Sequence, residues 1–120
     1  SNQGFSTVAI GNQAGNLNQS DYGVAIGTGS GNQSQSNASI AIGPFTGFFN
    51  QGADSVAIGN LSGNFTQGSG AIAIGFGAGP SIATNESNKL YIASGSGTPL
   101  IRGDFASKTV NVSKDNSIKV

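Results

Sequence analysis

The chain has 120 residues, with 20 Gly, three Pro, no Cys, His, Trp or Met, and only 8% charged residues that balance to zero. A disordered linker would carry more charge and no internal period, and collagen needs Gly at every third position with far more Pro, so neither class fits. Without Cys or His the common nitrogen and sulfur metal ligands and a disulfide framework are excluded, and no run of 18 apolar residues marks a membrane span.

The zero net charge hides an asymmetry. Residues 1–88 hold Asp21, Asp54 and Glu86 with no Lys or Arg, giving −3, whereas residues 89–120 hold five cations against Asp104 and Asp115, giving +3. The shift places a boundary between a first region, 1–86, and a second, 87–120. A first region with no basic stripe is a poor candidate for nucleic-acid binding.

The first region is organised by a repeated phrase. Val-Ala-Ile-Gly stands at Val8–Gly11, Val24–Gly27 and Val56–Gly59, and Ile-Ala-Ile-Gly at Ile40–Gly43 and Ile72–Gly75, each copy 16 residues after the last. A fixed short period means stacked identical units. In each unit the alternation large, small, large with β-branched ends predicts a strand. A Gly follows at 11, 27, 43, 59 and 75 and another at 15, 31, 47, 63 and 79, supplying the positive φ of tight corners. A second strand is expected through Leu17, Gln33, Phe49 and Phe65 into a Gln column at 19, 35, 51 and 67. Gln3 extends that column one unit earlier, so the chain opens mid-coil and a continuation of upstream repeats is expected.

Two strands and two turns per unit predict an all-β fold, a parallel β-roll or solenoid. Coils stacked at about 4.8 Å make five units a rod of roughly 24 Å. The Gln column is expected to form an amide ladder along the stack. Size suggests that the paired Val and Ile residues point into the coil with Leu17, Phe49 and Phe65. Ala9, Ala25, Ala41, Ala57 and Ala73 then face outward, where a small side chain lets another backbone approach. Ten Val and Ile side chains are a small apolar core for a region of this length, in which every ordered residue loses backbone entropy on folding. One thin coil is under-supplied with core, so homo-oligomerisation is expected.

Ser-Val-Ala-Ile-Gly at Ser55–Gly59 and its sister copies resemble the head repeats of YadA-like trimeric autotransporter adhesins, over residues 4–79. The resemblance implies a left-handed roll with three chains side by side, so that the Ala column becomes the expected trimer interface. The family's usual repeat is slightly shorter than this one, so differences are expected in the second strand and corners.

In the second region Asn88–Ala93 alternates as a strand, Pro99–Ile101 starts another, and Thr109–Val112 and Ser117–Val120 are further candidates. Asn-x-Leu-Tyr-Ile followed by Thr-Pro-Leu-Ile-x-Gly-Asp-Phe is similar to segments that follow such repeats in phage tail fibres and bacterial surface fibres. There it implies a trimeric neck or connector.

Little chemistry competes with a structural reading. Arg102-Gly103-Asp104 spells the tripeptide that animal integrins recognise, but it falls in an expected Gly-Asp-Phe turn that accounts for Gly and Asp. Asp21 and Asp54 lie two coils plus one position apart, roughly 10 Å along the stack, with no third polar partner for glycan hydrolysis. The Asp column of calcium-binding rolls is missing, and 16 is not a multiple of six, as hexapeptide acyltransferases require. No catalytic residue, cofactor or metal site is assigned. Tyr22, Phe45, Phe48 and Phe76 at or beside corners are candidate receptor contacts, able to stack on a glycan. The expectation is an extracellular, homotrimeric fibre element on a bacterial or virion surface that presents a surface to a host receptor or glycan. It inserts in no membrane within this segment and is not an enzyme. The alternatives are a tailspike-like glycan hydrolase or a spacer with no binding of its own.

Overall fold

In the computed structural model residues 3–79, 86–95 and 99–112 are described. Among them every regular element is a strand. The five Val/Ile-Ala-Ile phrases form β1 (Val8–Ile10), β3 (Val24–Ile26), β5 (Ile40–Ile42), β7 (Val56–Ile58) and β8 (Ile72–Ile74). Between them lie β2 (Leu17–Gln19), β4 (Gln33–Gln35) and β6 (Phe49–Gln51). The first set pairs in parallel with a 16-residue offset, Val8 against Val24 and Ile40 against Val56, and the second likewise, Gln33 against Phe49. The result is a parallel β-solenoid of about five turns in a chain that measures 46 Å by 25 Å across. The fourth coil keeps only the isolated pair Gln51–Gln67 in place of a second strand. Among the described residues no helix is long and apolar enough to cross a membrane.

The stack is held together by its own backbone. Corner residues as well as strand residues donate to the next coil, as from Gly15 N to Ser30 O at 2.9 Å and from Gly47 N to Ser62 O at 2.9 Å. The corner at 13, 29, 45, 61 and 77 has positive φ throughout, although Gln13, Phe45 and Leu61 are not Gly. The continuous hydrogen bonding of that corner offsets the steric cost of the left-handed region.

Which residues fill the coil is the main departure from the sequence reading. Ala25, Ala41, Ala57 and Ala73 are 0% exposed and point inward; Ala9, in the terminal coil, is exposed. The trimer-interface assignment for the Ala column is therefore corrected: these residues are interior to a single chain. The paired Val and Ile residues point the other way and remain half-buried or exposed. Leu17, Phe49 and Phe65 are also outward, on the opposite sheet.

The reason is the thinness of the coil and its filler, the Gln column. Gln19, Gln35, Gln51 and Gln67 are at most 2% exposed. Each reaches across the coil, and its Nε2 donates to a backbone carbonyl of the facing sheet, Val8 O (3.0 Å), Val24 O (2.8 Å), Ile40 O (2.7 Å) and Val56 O (3.0 Å). The expected amide-to-amide ladder is therefore replaced by cross-coil bonds. With an extended amide on one side, only Ala fits on the other. Ser30, Thr46 and Ser62 complete this polar interior by donating to Ala41 O, Gly59 O and Ala73 O.

The four Gln Oε1 atoms accept no hydrogen bond. They abut the second Gly column instead. A Cβ on Gly47 (φ +54) would stand 2.7 Å from Gln51 Oε1 and 3.2 Å from Ala41 Cβ. The glycine hydrogen in the Cβ place points at that oxygen, a weak C–H···O contact. The Gly column thus serves the interior as much as the turn.

At the far end the repeat is modified into a cap. Strand β9 (Lys89–Ile92) pairs in parallel with β8, Ile72 against Leu90, and β10 (Ile101–Asp104) and β11 (Thr109–Val112) follow antiparallel. One sheet therefore runs from the repeats into the second region. Tyr91 takes the Ala column and, at 4% exposed, packs on Ala73 and Ala78 to plug the interior. Glu86 takes the Gln column opposite Gln67. The strand expected at Ser117–Val120 lies outside the described residues.

Candidate functional site

The solenoid presents two outward faces of different chemistry. The first is the outer side of the long sheet. Val and Ile at columns one and three of every coil line up along the rod, and the registers carry this row onward through Leu90, Ile92, Ile101, Val110 and Val112. All eight strands of the sheet contribute. Interior and exterior are thus inverted relative to an ordinary sheet protein: small and polar side chains inside, branched apolar ones outside. A contiguous apolar strip of this length marks an interaction surface.

Within that strip Gly103 leaves a gap between Leu90 and Val110, its partners in register. The resulting open hollow of about 300 Å³ is also lined by Phe105, Asp104, Lys108 and Thr109. Phe105 is exposed on its wall.

The second face is the outer side of β2, β4 and β6 with its corners. Phe48 meets Phe49 edge-on with ring centroids 4.7 Å apart, and Phe45 lies 6.0 Å from Phe48. Phe49 and Phe65 are near-parallel, 17° apart in plane and 6.5 Å between centroids. Of the proposed receptor contacts, the structure brings Phe45 and Phe48 together and adds Phe49 and Phe65, which the sequence reading assigns to the interior. Tyr22 and Phe76 are exposed at corners of other coils and do not join this cluster. The repeat itself held the missing signal: Gln33 shares a column with Leu17, Phe49 and Phe65, and an apolar interior would not take an unpaired amide there.

The Arg102-Gly103-Asp104 tripeptide lies in strand β10, not in the turn expected; the turn is formed by residues 105–108. Both charged side chains are engaged. Arg102 pairs with Glu86 (3.4 Å) and sits over the Tyr91 ring, 5.7 Å from its centroid, closing the cap. Asp104 pairs with Lys89 at 2.8 Å and accepts from the backbone N–H groups of Ala106 and Ser107. These contacts, the Lys89 hydrogen bond first, hold its carboxyl down at about 2 from an ordinary 3.8. Asp21 Oδ1 accepts from Phe5 N at 2.8 Å, a bond between coils. Among the described residues no group of three or more Asp, Glu, His or Cys side chains could hold a metal. No family model matches the chain, and no curated protein or solved structure is significantly similar to it.

Proposed function

We propose that the chain is one protomer of a homotrimeric, extracellular fibre element of the YadA-head kind, continuing into a connector of the tail-fibre kind. The observation that carries this reading is the Val/Ile strip, continuous over the five coils, on a chain whose own interior is Ala, Ser and Gln. Six of the ten Val and Ile side chains are part-buried and four are 37–59% exposed. Completing their burial contributes about 0.5–1 kcal/mol each, on the order of 5–10 kcal/mol per protomer. That is as large as the whole stability of an ordinary domain. The assembly supplies the hydrophobic core that the single coil lacks, with Val and Ile, not Ala, at the contact. Three as the copy number, and left-handed coils, come from the Ser-Val-Ala-Ile-Gly resemblance.

In this reading the role is mechanical and adhesive. A rod hydrogen-bonded from end to end spaces a tip from its anchor, and three copies raise the effective concentration of any surface they present. The sheet of β2, β4 and β6 points away from the Val/Ile strip, so it is the side offered to a host receptor or glycan on a bacterial or virion surface. No catalytic residue is needed.

The native chain lacks Cys, so single cysteines report on the faces. In the native assembly Ile58→Cys is protected from a maleimide reagent, while Gln33→Cys on the opposite sheet reacts freely. Equal labelling rates at the two positions would overturn the assignment of the interface.

A further inference from the structure

We infer that the cluster of Phe45, Phe48, Phe49 and Phe65 is a binding platform for a neutral saccharide, the recognition surface of the fibre element proposed above. Three features carry the inference: the rings are pre-arranged, the polar groups around them are free, and the segments that carry them hold no charged residue.

The rings are held before any ligand arrives. Phe45 lies over Gly29, where a Cβ would come within 2.8 Å of its ring, and the edge-on contact of Phe48 with Phe49 fixes the next pair. Phe45, Phe49 and Phe65 nevertheless remain 42%, 37% and 40% exposed. Coil stacking repeats the position of Phe49 at Phe65, so two near-parallel rings follow one another along the rod. Rigid, half-exposed aromatic surface loses little freedom on binding.

Around these rings stand amides and a hydroxyl that the fold does not use. Gln33 is opposite Phe49 in register, Asn50 follows it in the chain, and Asn64 and Thr66 flank Phe65. None of these four side chains makes a hydrogen bond among the described residues. By contrast, Asn32 one coil away is buried and donates to Gln13 O. The platform therefore combines apolar ring surface with unpaired donors and acceptors, matching the C–H faces and hydroxyl edges of a sugar.

Charge decides against other ligands. No Asp, Glu, Lys or Arg occurs in residues 28–36, 44–52 or 60–68, the two segments that carry the rings and the one before them, and on the next coil Glu86, opposite Gln67, is paired with Arg102. An acidic polysaccharide, a phosphate or an anionic lipid surface finds no unpaired cation there. A folded protein partner needs about 800 Å² per side, far more than four half-exposed rings provide. The platform also lies on the sheet opposite the Val/Ile strip, so assembly leaves it open.

Affinity electrophoresis of the full chain through gels containing dextran, mannan or galactomannan tests this. At least one neutral polysaccharide is expected to retard the protein. Phe49→Ala with Phe65→Ala should weaken that retardation at least tenfold, and Phe49→Tyr should retain it. Tyr22→Ala and Phe76→Ala, outside the cluster, should change nothing. No retardation by any of the three, equal loss from Tyr22→Ala, or retardation only by acidic alginate would each overturn the assignment. Mass measured on the same samples separates the two readings: a folded monomer that still binds dextran refutes the trimer and leaves the platform standing. An intact trimer that binds none of the polysaccharides refutes the platform alone.

Discussion

Replacing Gln51 by Glu converts the interior of the coil into a pH-sensitive device. Gln51 is 0% exposed, and its Nε2 donates to Ile40 O at 2.7 Å. An ionised carboxylate has no donor, so it would face that carbonyl oxygen in repulsion and lose its hydration as well. The neutral acid keeps an O–H able to replace the lost bond. Burial therefore raises the folded-state pKa to about 7 or higher, from an unfolded value near 4.3. Between those two values the folded variant holds a proton that the unfolded chain has released, so stability falls as pH rises. The wild-type amide does not titrate. Near pH 4 the variant should match wild type to within about 1 kcal/mol, the ordinary net contribution of one hydrogen bond. Each pH step of one across that window removes about 1.4 kcal/mol, so by pH 8 the deficit should reach about 4 kcal/mol. For a chain of this size that is a Tm lower by roughly 10–20 °C. Circular dichroism melts at pH 4, 6 and 8 and one fixed protein concentration measure it, with Gln33→Glu on the outer face as the control. A Tm deficit for Gln51→Glu that is the same at all three pH values would refute the inward placement of the Gln column.

Other consequences follow from the same geometry. Gly47→Ala should cost about 1–3 kcal/mol, from the left-handed backbone and the contact with Gln51 Oε1. In a Gln51→Ala background the contact is gone, so a chemical-denaturation cycle should show a smaller second step; strictly additive changes would contradict the contact. At the cap, the lowered pKa of Asp104 means that the Lys89 pair contributes above about 3.8 and is lost as pH falls through about 2. The Ala106 and Ser107 amide resonances should titrate with a midpoint near 2, and a midpoint near 4 would show that the pair does not form in solution.

Much of this fold was legible in the sequence, and the part that was not has a physical cause. The 16-residue period, the strands from Val8–Ile10 to Ile72–Ile74 and the positive-φ glycines were all readable, because each depends on local backbone preference and repetition. Alternation along Val-Ala-Ile shows that the strand has two faces but does not say which is inside. Assigning the larger residues to the interior assumes a core wide enough to hold them. Here an amide spans the coil, and the room left over fits Ala41 but not Ile42. A better guide was uniformity: the Ala column never varies from 9 to 73 and the Gln column never varies from 3 to 67, whereas column ten runs Leu17, Gln33, Phe49, Phe65. Positions that must fit inside a coil of fixed width tolerate less change. The cap was hidden for another reason. Tyr91, Glu86 and Arg102 meet only because the sheet continues past the last repeat with an offset of 18 residues instead of 16.

In the proposed assembly the Val/Ile strip completes a core shared by three chains. Sedimentation equilibrium of the native protein tests it most directly. A single species near 35 kDa, three copies of the 11.8 kDa chain, is expected to persist on dilution to micromolar concentration. A folded species of one chain's mass over that range would contradict it.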